Sequence, residues 1–314
     1  MTATTSAPTT AADTDTSYNP SDKPRFGIGR ALAWTFMILV IFASIFPFYW
    51  MLRTALSSNN ALYAGSDSLL PVQLSWGGFE RVFGLQTGDE AIAAGGAGQA
   101  INFWRYLLNS VIVATLITVG QVLFSAMAAY AFARLRWRLR GPVFAFFLAG
   151  LMIPTIFTFL PNFVIIKQLG LVDNMLGIAL PTMLMTPFAV FFLRQFFLGI
   201  SREVEEAALI DGASKVRVFF QLIIPMSMAP ITTLAILTYI TAWNDYFWPL
   251  MVSYTDASRT LTVGLGVFKS QTPQTGPDWS GLMAATLVAA LPMLILFIAS
   301  AKRIVNSIGF SGIK

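Results

Sequence analysis

The side chains in this chain that are able to do chemistry are few and unevenly placed. None of the 314 residues is Cys or His, which removes disulfides, thiolate nucleophiles, Cys/His metal sites and imidazole acid–base catalysis. No lysine follows a glycine, so the chain lacks the phosphate-cradling loop in which backbone N–H groups and a Lys hold a nucleotide. Carboxylates remain. Four of the fifteen acids, Glu203, Glu205, Glu206 and Asp211, crowd into one short segment. Another, Asp245, stands in an apolar run with no second acid beside it, whereas an acid–base pair or an ion-coupled carrier would place acids together at mid-membrane. The chemistry on offer is recognition and positioning rather than bond making.

The elements that must position these groups are membrane spans. The chain is 56% hydrophobic and 11% charged, under half the charge share of about 25% in soluble domains. Six segments approach the roughly 20 apolar residues that cross a ~30 Å hydrocarbon layer as helix: about 31–52, 107–133, 143–166, 175–197, 226–251 and 282–301. Pro154, Pro181, Pro187, Pro230 and Pro292 predict kinks. With the N-terminus inside, the inner segments carry Lys23, Arg25, Arg30, Arg134, Arg136, Arg138, Arg140, Arg194, Arg202, Lys215, Arg217, Lys302, Arg303 and Lys314, fourteen of the twenty bases. That asymmetry places both termini in the cytoplasm. The +5 balance is thereby a topological signal, and no nucleic-acid partner is expected. Tryptophans fall at proposed span ends or in outer loops, none at mid-span, which fits their preference for the headgroup level. Residues 1–25 are rich in Thr, Ala, Ser and Asp and read as a disordered cytoplasmic tail; 26–314 read as one transmembrane domain.

The acid cluster lies in an inner loop, 200–225, between the fourth and fifth spans. Ser201 suits the cap of a short helix, with Glu203 in its first turn, where the helix dipole favours acid. Gly212 suits the left-handed position after that helix, and Ser214 caps a second one with Val216, Phe219, Phe220 and Ile223 on one face. Pro225 marks entry to the next span.

Within this loop Glu206-Ala207-Ala208, three residues, Gly212, nine residues and Leu222-Ile223-Ile224-Pro225 resemble the EAA signature of permease subunits of binding-protein-dependent ABC importers. Asp211-Gly212-Ala213, the run Trp243-Asn244-Asp245-Tyr246-Phe247-Trp248-Pro249 and the tail Ile308 to Lys314 are similar to the carbohydrate, maltose-type branch. The resemblance covers roughly 31–314. It implies an all-α, polytopic, six-helix type I importer fold in a bacterial cytoplasmic membrane. It also implies that Glu206, Ala207, Ala208, Asp211, Gly212 and Pro225 form a coupling loop seated on a separate ATPase subunit. The expected partners are two cytoplasmic ATPase subunits, a second permease, an extracytoplasmic solute-binding protein, a sugar and membrane lipid. No cofactor or metal is expected on this chain, and ATP with Mg belongs to the ATPase partners; the chain itself is not an enzyme.

Trp243, Asn244 and Asp245 admit two readings. They border the translocation path, or Asp245 is an interface residue already reaching water. A self-sufficient ion-coupled carrier is the alternative function.

Overall fold

The computed structural model describes residues 28–65, 68–98, 101–270 and 276–309. The tail 1–25, the final residues 310–314 and the tip of the loop before the last span, with Pro273, lie outside the described residues. The helices in chain order are α1 (Ile28–Ala55), α2 (Asn59–Tyr63), α3 (Gly77–Phe83), α4 (Gly88–Ala93), α5 (Phe103–Arg134), α6 (Arg140–Ala149), α7 (Thr155–Gln168), α8 (Met175–Met183) and α9 (Pro187–Leu198). They continue with α10 (Arg202–Ile210), α11 (Lys215–Val218), α12 (Ile224–Met226), α13 (Met228–Asn244), α14 (Phe247–Val252), α15 (Leu261–Ser270) and α16 (Trp279–Gly309). The stretch 28–49 forms one unit, an apolar helix exposed on all sides; 50–314 forms the other.

Among the described residues three helices, α1, α5 and α16, are long and apolar enough to cross a membrane unbroken. The other three predicted spans are bent pairs, which bring the number to six if each pair is one span. The helices 140–152 and 155–168 meet at 104°, α8 and α9 at 46°, and 215–226 and α13 at 80°. Two breaks sit at predicted prolines: Ile153 and Thr186 are extended before Pro154 and Pro187, as the steric clash of a proline ring with the preceding residue requires. Pro181 and Pro292 stay inside α8 and α16. The break expected at Pro230 falls instead at Ser227, and Pro230 lies in the first turn of α13.

The predicted span 226–251 also ends early. α13 stops at Asn244, Asp245 is extended, and α14 follows. Backbone N–H groups of Trp248, Tyr246 and Phe247 face the Asp245 carboxylate, and such local side-chain bonds compete with helix continuation.

α5 is the central strut, packing on α8, α9, α13 and α15. Small residues let the helices approach: a Cβ on Gly120 would lie 2.4 Å from Met183 Cγ and 2.7 Å from its carbonyl oxygen, so α5 and α8 touch nearly backbone to backbone. Toward the α10 end, Ala126, Ala129 and Ala133 of α5 pack with Val190, Leu193 and Phe197 of α9 and with Val218, Phe219 and Ile223. Toward the other end, Phe103, Tyr106 and Ala114 pack with Trp243, Leu265, Phe268, Ala284 and Ala285.

The loop after α7 is clipped to the loop before α15 by Asp173. Its carboxylate accepts from Tyr254 N (2.9 Å), Thr255 N (2.9 Å), Thr255 Oγ1 (2.7 Å) and Ser258 Oγ. Burial works to raise this carboxyl, but the bonds from Ser258, Thr255 and Tyr254 together hold it well below the usual carboxylate range. A depressed folded-state pKa contributes stability above the ordinary Asp value of about 3.9, lost as pH falls below it. Limited proteolysis in detergent is expected to leave residues 253–260 uncut from neutral pH to about pH 5 and to cut them progressively below about pH 4.

Candidate functional site

Two features stand out where the polar residues converge: a short helix with one open face, and a largely apolar cavity that carries a set of polar side chains. The helix is α10. Ser201 caps it by accepting from Glu203 N at 3.3 Å. It ends at Gly212, which takes φ +83°, with Ala213 N donating to Ala208 O at 3.0 Å. Its inner face carries Glu205 and Ala208, the latter packed on the bundle. Its outer face carries Glu206, Ala207, Leu209 and Ile210, all exposed, with Ile210 at 86%. An exposed apolar row flanked by acid on an otherwise well-packed end is the composition of a docking face.

The second half of the loop departs from the expected register. α11 is a single turn capped by Ser214, and a π-helical turn, Phe219–Ile223, follows it. The extra residue rotates the face. Val218, Phe219 and Ile223 are buried, whereas Val216 and Phe220 are exposed, so Val216 and Phe220 leave the apolar face predicted for them. Pro225 sits in α12 just past this turn, and Asp211 ends α10 in the open.

The cavity, about 600 Å3, opens between α5, α8, α9 and α13. Its polar wall is Gln121, Thr182, Thr186, Thr238, Thr241, Asn244 and Asp245. Much of the hydrogen-bond donor capacity is already used: Thr241 Oγ1 donates to Leu237 O (2.9 Å), Asn244 Nδ2 to Ile240 O (2.8 Å) and Gln121 Nε2 to Thr186 Oγ1 (2.9 Å). What faces the cavity is rich in acceptors, with one carboxylate and, among the described lining residues, no Lys or Arg. Such a wall suits a neutral solute that brings its own O–H donors.

The sequence grouped Trp243 with Asn244 and Asp245, and the structure separates them. Trp243 is 4% exposed, stacked on Tyr239 at 6.2 Å within the core, and does not line the cavity. Its ring turns into the core while its neighbours Ala242 and Asn244 line the cavity. Gln121 and the four threonines carry no charge and are absent from the sequence reading. A glutamine near the middle of 107–133 was the available signal.

Comparison with known proteins gives concordant results. The family described as "Binding-protein-dependent transport system inner membrane component" matches residues 121–309. The probable ABC transporter permease protein YurM of Bacillus subtilis is 32% identical over 296 residues, covering 93% of this chain and 92% of that protein. The sn-glycerol-3-phosphate transport system permease protein UgpE of Escherichia coli K12 is 31% identical over 275 residues, covering 87% and 94%. In fold, the chain matches a chain of a bacterial ABC transporter involved in the import of the acidic polysaccharide alginate, with a TM-score of 0.74 at 20% identity, covering 90% of this chain and 99% of that one.

Proposed function

Because the chain belongs to the family of inner membrane components of binding-protein-dependent transport systems, we propose that it is the permease subunit of an ATP-driven importer that moves a neutral sugar, a di- or oligosaccharide, through the cavity walled by Gln121, Thr186, Asn244 and Asp245. One of two ATPase subunits seats on the outer face of α10, around Glu206, Ala207 and Gly212, with Ala208 packed inward behind it. A second permease completes the cavity, and a solute-binding protein delivers the sugar on the opposite side. In this arrangement both chain ends lie in the cytoplasm. The family membership and the relatives support this reading over the ion-coupled carrier.

The observation that carries the choice of solute is the acceptor-rich, base-free wall. Relatives are named for glycerol phosphate and for an acidic polysaccharide, yet here an anion would face a carboxylate with no neighbouring cation. The volume lies within the ~300–1,000 Å3 of small-molecule sites. The deciding experiment is the ATPase activity of the assembled transporter in proteoliposomes with its binding protein, screened against neutral oligosaccharides, uronates and polyol phosphates. Stimulation by a neutral sugar is expected, and stimulation by anions alone would refute the choice.

Asp245 gives a finer test. Asparagine keeps an acceptor for the backbone N–H groups at the α13–α14 turn, so the turn survives Asp245→Asn. What is lost is a charged acceptor, stronger than a neutral one by about 1–1.5 kcal/mol. Uptake at limiting sugar is expected to fall about tenfold with the ATPase still assembled. Unchanged uptake kinetics would make Asp245 a turn residue only.

A further inference from the structure

At the root of α10 one guanidinium holds three segments together. Arg134 is the last residue of α5, and its side chain is 4% exposed. Its Nη2 donates to the carbonyls of Phe197 and Ile200 at the end of α9. Its Nε lies 3.0 Å from Glu205 Oε1 on the inner face of α10, a side chain only 13% exposed. Tyr130, packed on Phe219 at 5.3 Å, forms the wall beside the pair.

Stability alone does not call for this arrangement, since an apolar plug of the same volume commonly matches or exceeds a buried ion pair. A planar fork does something a plug does not. It fixes direction, holding the Phe197 and Ile200 carbonyls where α9 ends and pairing by charge with the α10 carboxylate at once. The helix that carries it and the longer helix it grips, α5 and α9, also meet at the cavity, where Gln121 Nε2 of α5 donates to Thr186 Oγ1 at the start of α9 at 2.9 Å. Thirteen residues of helix separate Arg134 from Gln121, about 20 Å at 1.5 Å per residue. A displacement of α10 held by this joint therefore reaches the cavity wall along two rigid rods.

We propose that Arg134 and Glu205 are the joint through which movement of α10 is passed to α5 and α9, and hence positioning residues for coupling ATP hydrolysis to opening of the cavity. This rests on the reading of the outer face of α10 as the ATPase seat. The two residues face the bundle, so they act on transmission and not on docking.

The test uses the complete transporter in proteoliposomes, with sugar taken up per ATP hydrolysed as the readout. Glu205→Gln and Arg134→Lys are expected to keep the ATPase bound and hydrolysing within about twofold while the ratio falls at least about tenfold, the scale of an ordinary coupling energy. Glu205→Asp should recover part of the ratio. Unchanged ratios in assembled complexes would overturn the proposal. So would loss of the ATPase from both variants, which would make the pair a folding element. Ile210→Asp, on the outer face, separates the two readings. If it leaves ATPase binding and uptake normal, the seat itself is misassigned and the joint falls with it; if it strips the ATPase while Glu205→Gln changes nothing, only the joint fails.

Discussion

Gly212→Glu is expected to abolish uptake while the protein stays in the membrane at normal abundance. Gly212 ends α10 at φ +83°, a conformation that costs an L-residue about 1–2 kcal/mol. A Cβ built there meets nothing within 4 Å, so the bundle itself is not asked to move. The substitution instead acts on the helix end and on what docks there. It strains the turn in which Gly212 N bonds Leu209 O at 3.1 Å. It also adds a bulky negative group beside Glu206 and Asp211, at the centre of a face that a partner must cover. Truncations at interface centres commonly cost 2 kcal/mol or more, and a buried unpaired charge adds to that; together they exceed about 100-fold in affinity. Western blot of membranes, uptake of labelled sugar and co-purification of the ATPase read the three consequences separately. Normal uptake at normal abundance would remove the coupling role from this loop. Gly212→Ala, strained but small and neutral, should retain a measurable fraction.

The same loop shows how far residue types reach and where they stop. The caps at Ser201 and Ser214 and the left-handed Gly212 were legible because each depends on neighbours within four residues. The burial of Phe219 rather than Phe220 was not, because a π turn inserts one residue into the register and nothing local to Lys215–Ile223 announces it. Proline was a partial guide. It marked the breaks at Ile153 and Thr186, where the residue before it is forced out of helix, but not the break at Ser227. The polar wall of the cavity was half visible. Asn244 and Asp245 carry strong polar signals, whereas Thr182, Thr238 and Thr241 are unremarkable in a membrane helix until packing turns them to one side.

Of the six bases outside the inner segments, Arg53, Arg81 and Arg259 are engaged within the fold. Arg53 donates to Ser68 O at 2.8 Å, and Arg259 lies 3.6 Å from Asp256. Arg81 does the most. Lys and Arg act as topological signals when free in solvent near a span end, and a base sealed inside a loop fold carries no such message. In the segment of α11 and α10, by contrast, Arg202, Lys215 and Arg217 stand exposed.

Arg81→Ala is therefore expected to unseat the cap formed by the α2–α4 segment from its anchor at the start of α16, at a cost of about 3–5 kcal/mol. Arg81 Nε lies 2.7 Å from Asp278 Oδ2, with side chains 4% and 0% exposed, and Nη2 reaches Asp278 Oδ1 at 2.9 Å and Ser280 Oγ at 2.6 Å. Asp278 also accepts from Gly281 N at 2.8 Å, the first turn of α16, and from Ala97 N at 3.1 Å in the cap. Removing the guanidinium leaves a buried carboxylate facing two amides and the Ser280 hydroxyl at 3.2 Å, with no cation. The structure must then open to wet it. Thermal unfolding of the purified protein in detergent should show a markedly lower midpoint. The double variant Arg81→Met with Asp278→Leu removes both charges, and on charge grounds alone would restore most of the loss. It also orphans the amides of Gly281 and Ala97, each costing about 1–3 kcal/mol when buried. Recovery is thus expected to be partial, and full recovery would show that the amides find water and that the cap is looser than its burial implies.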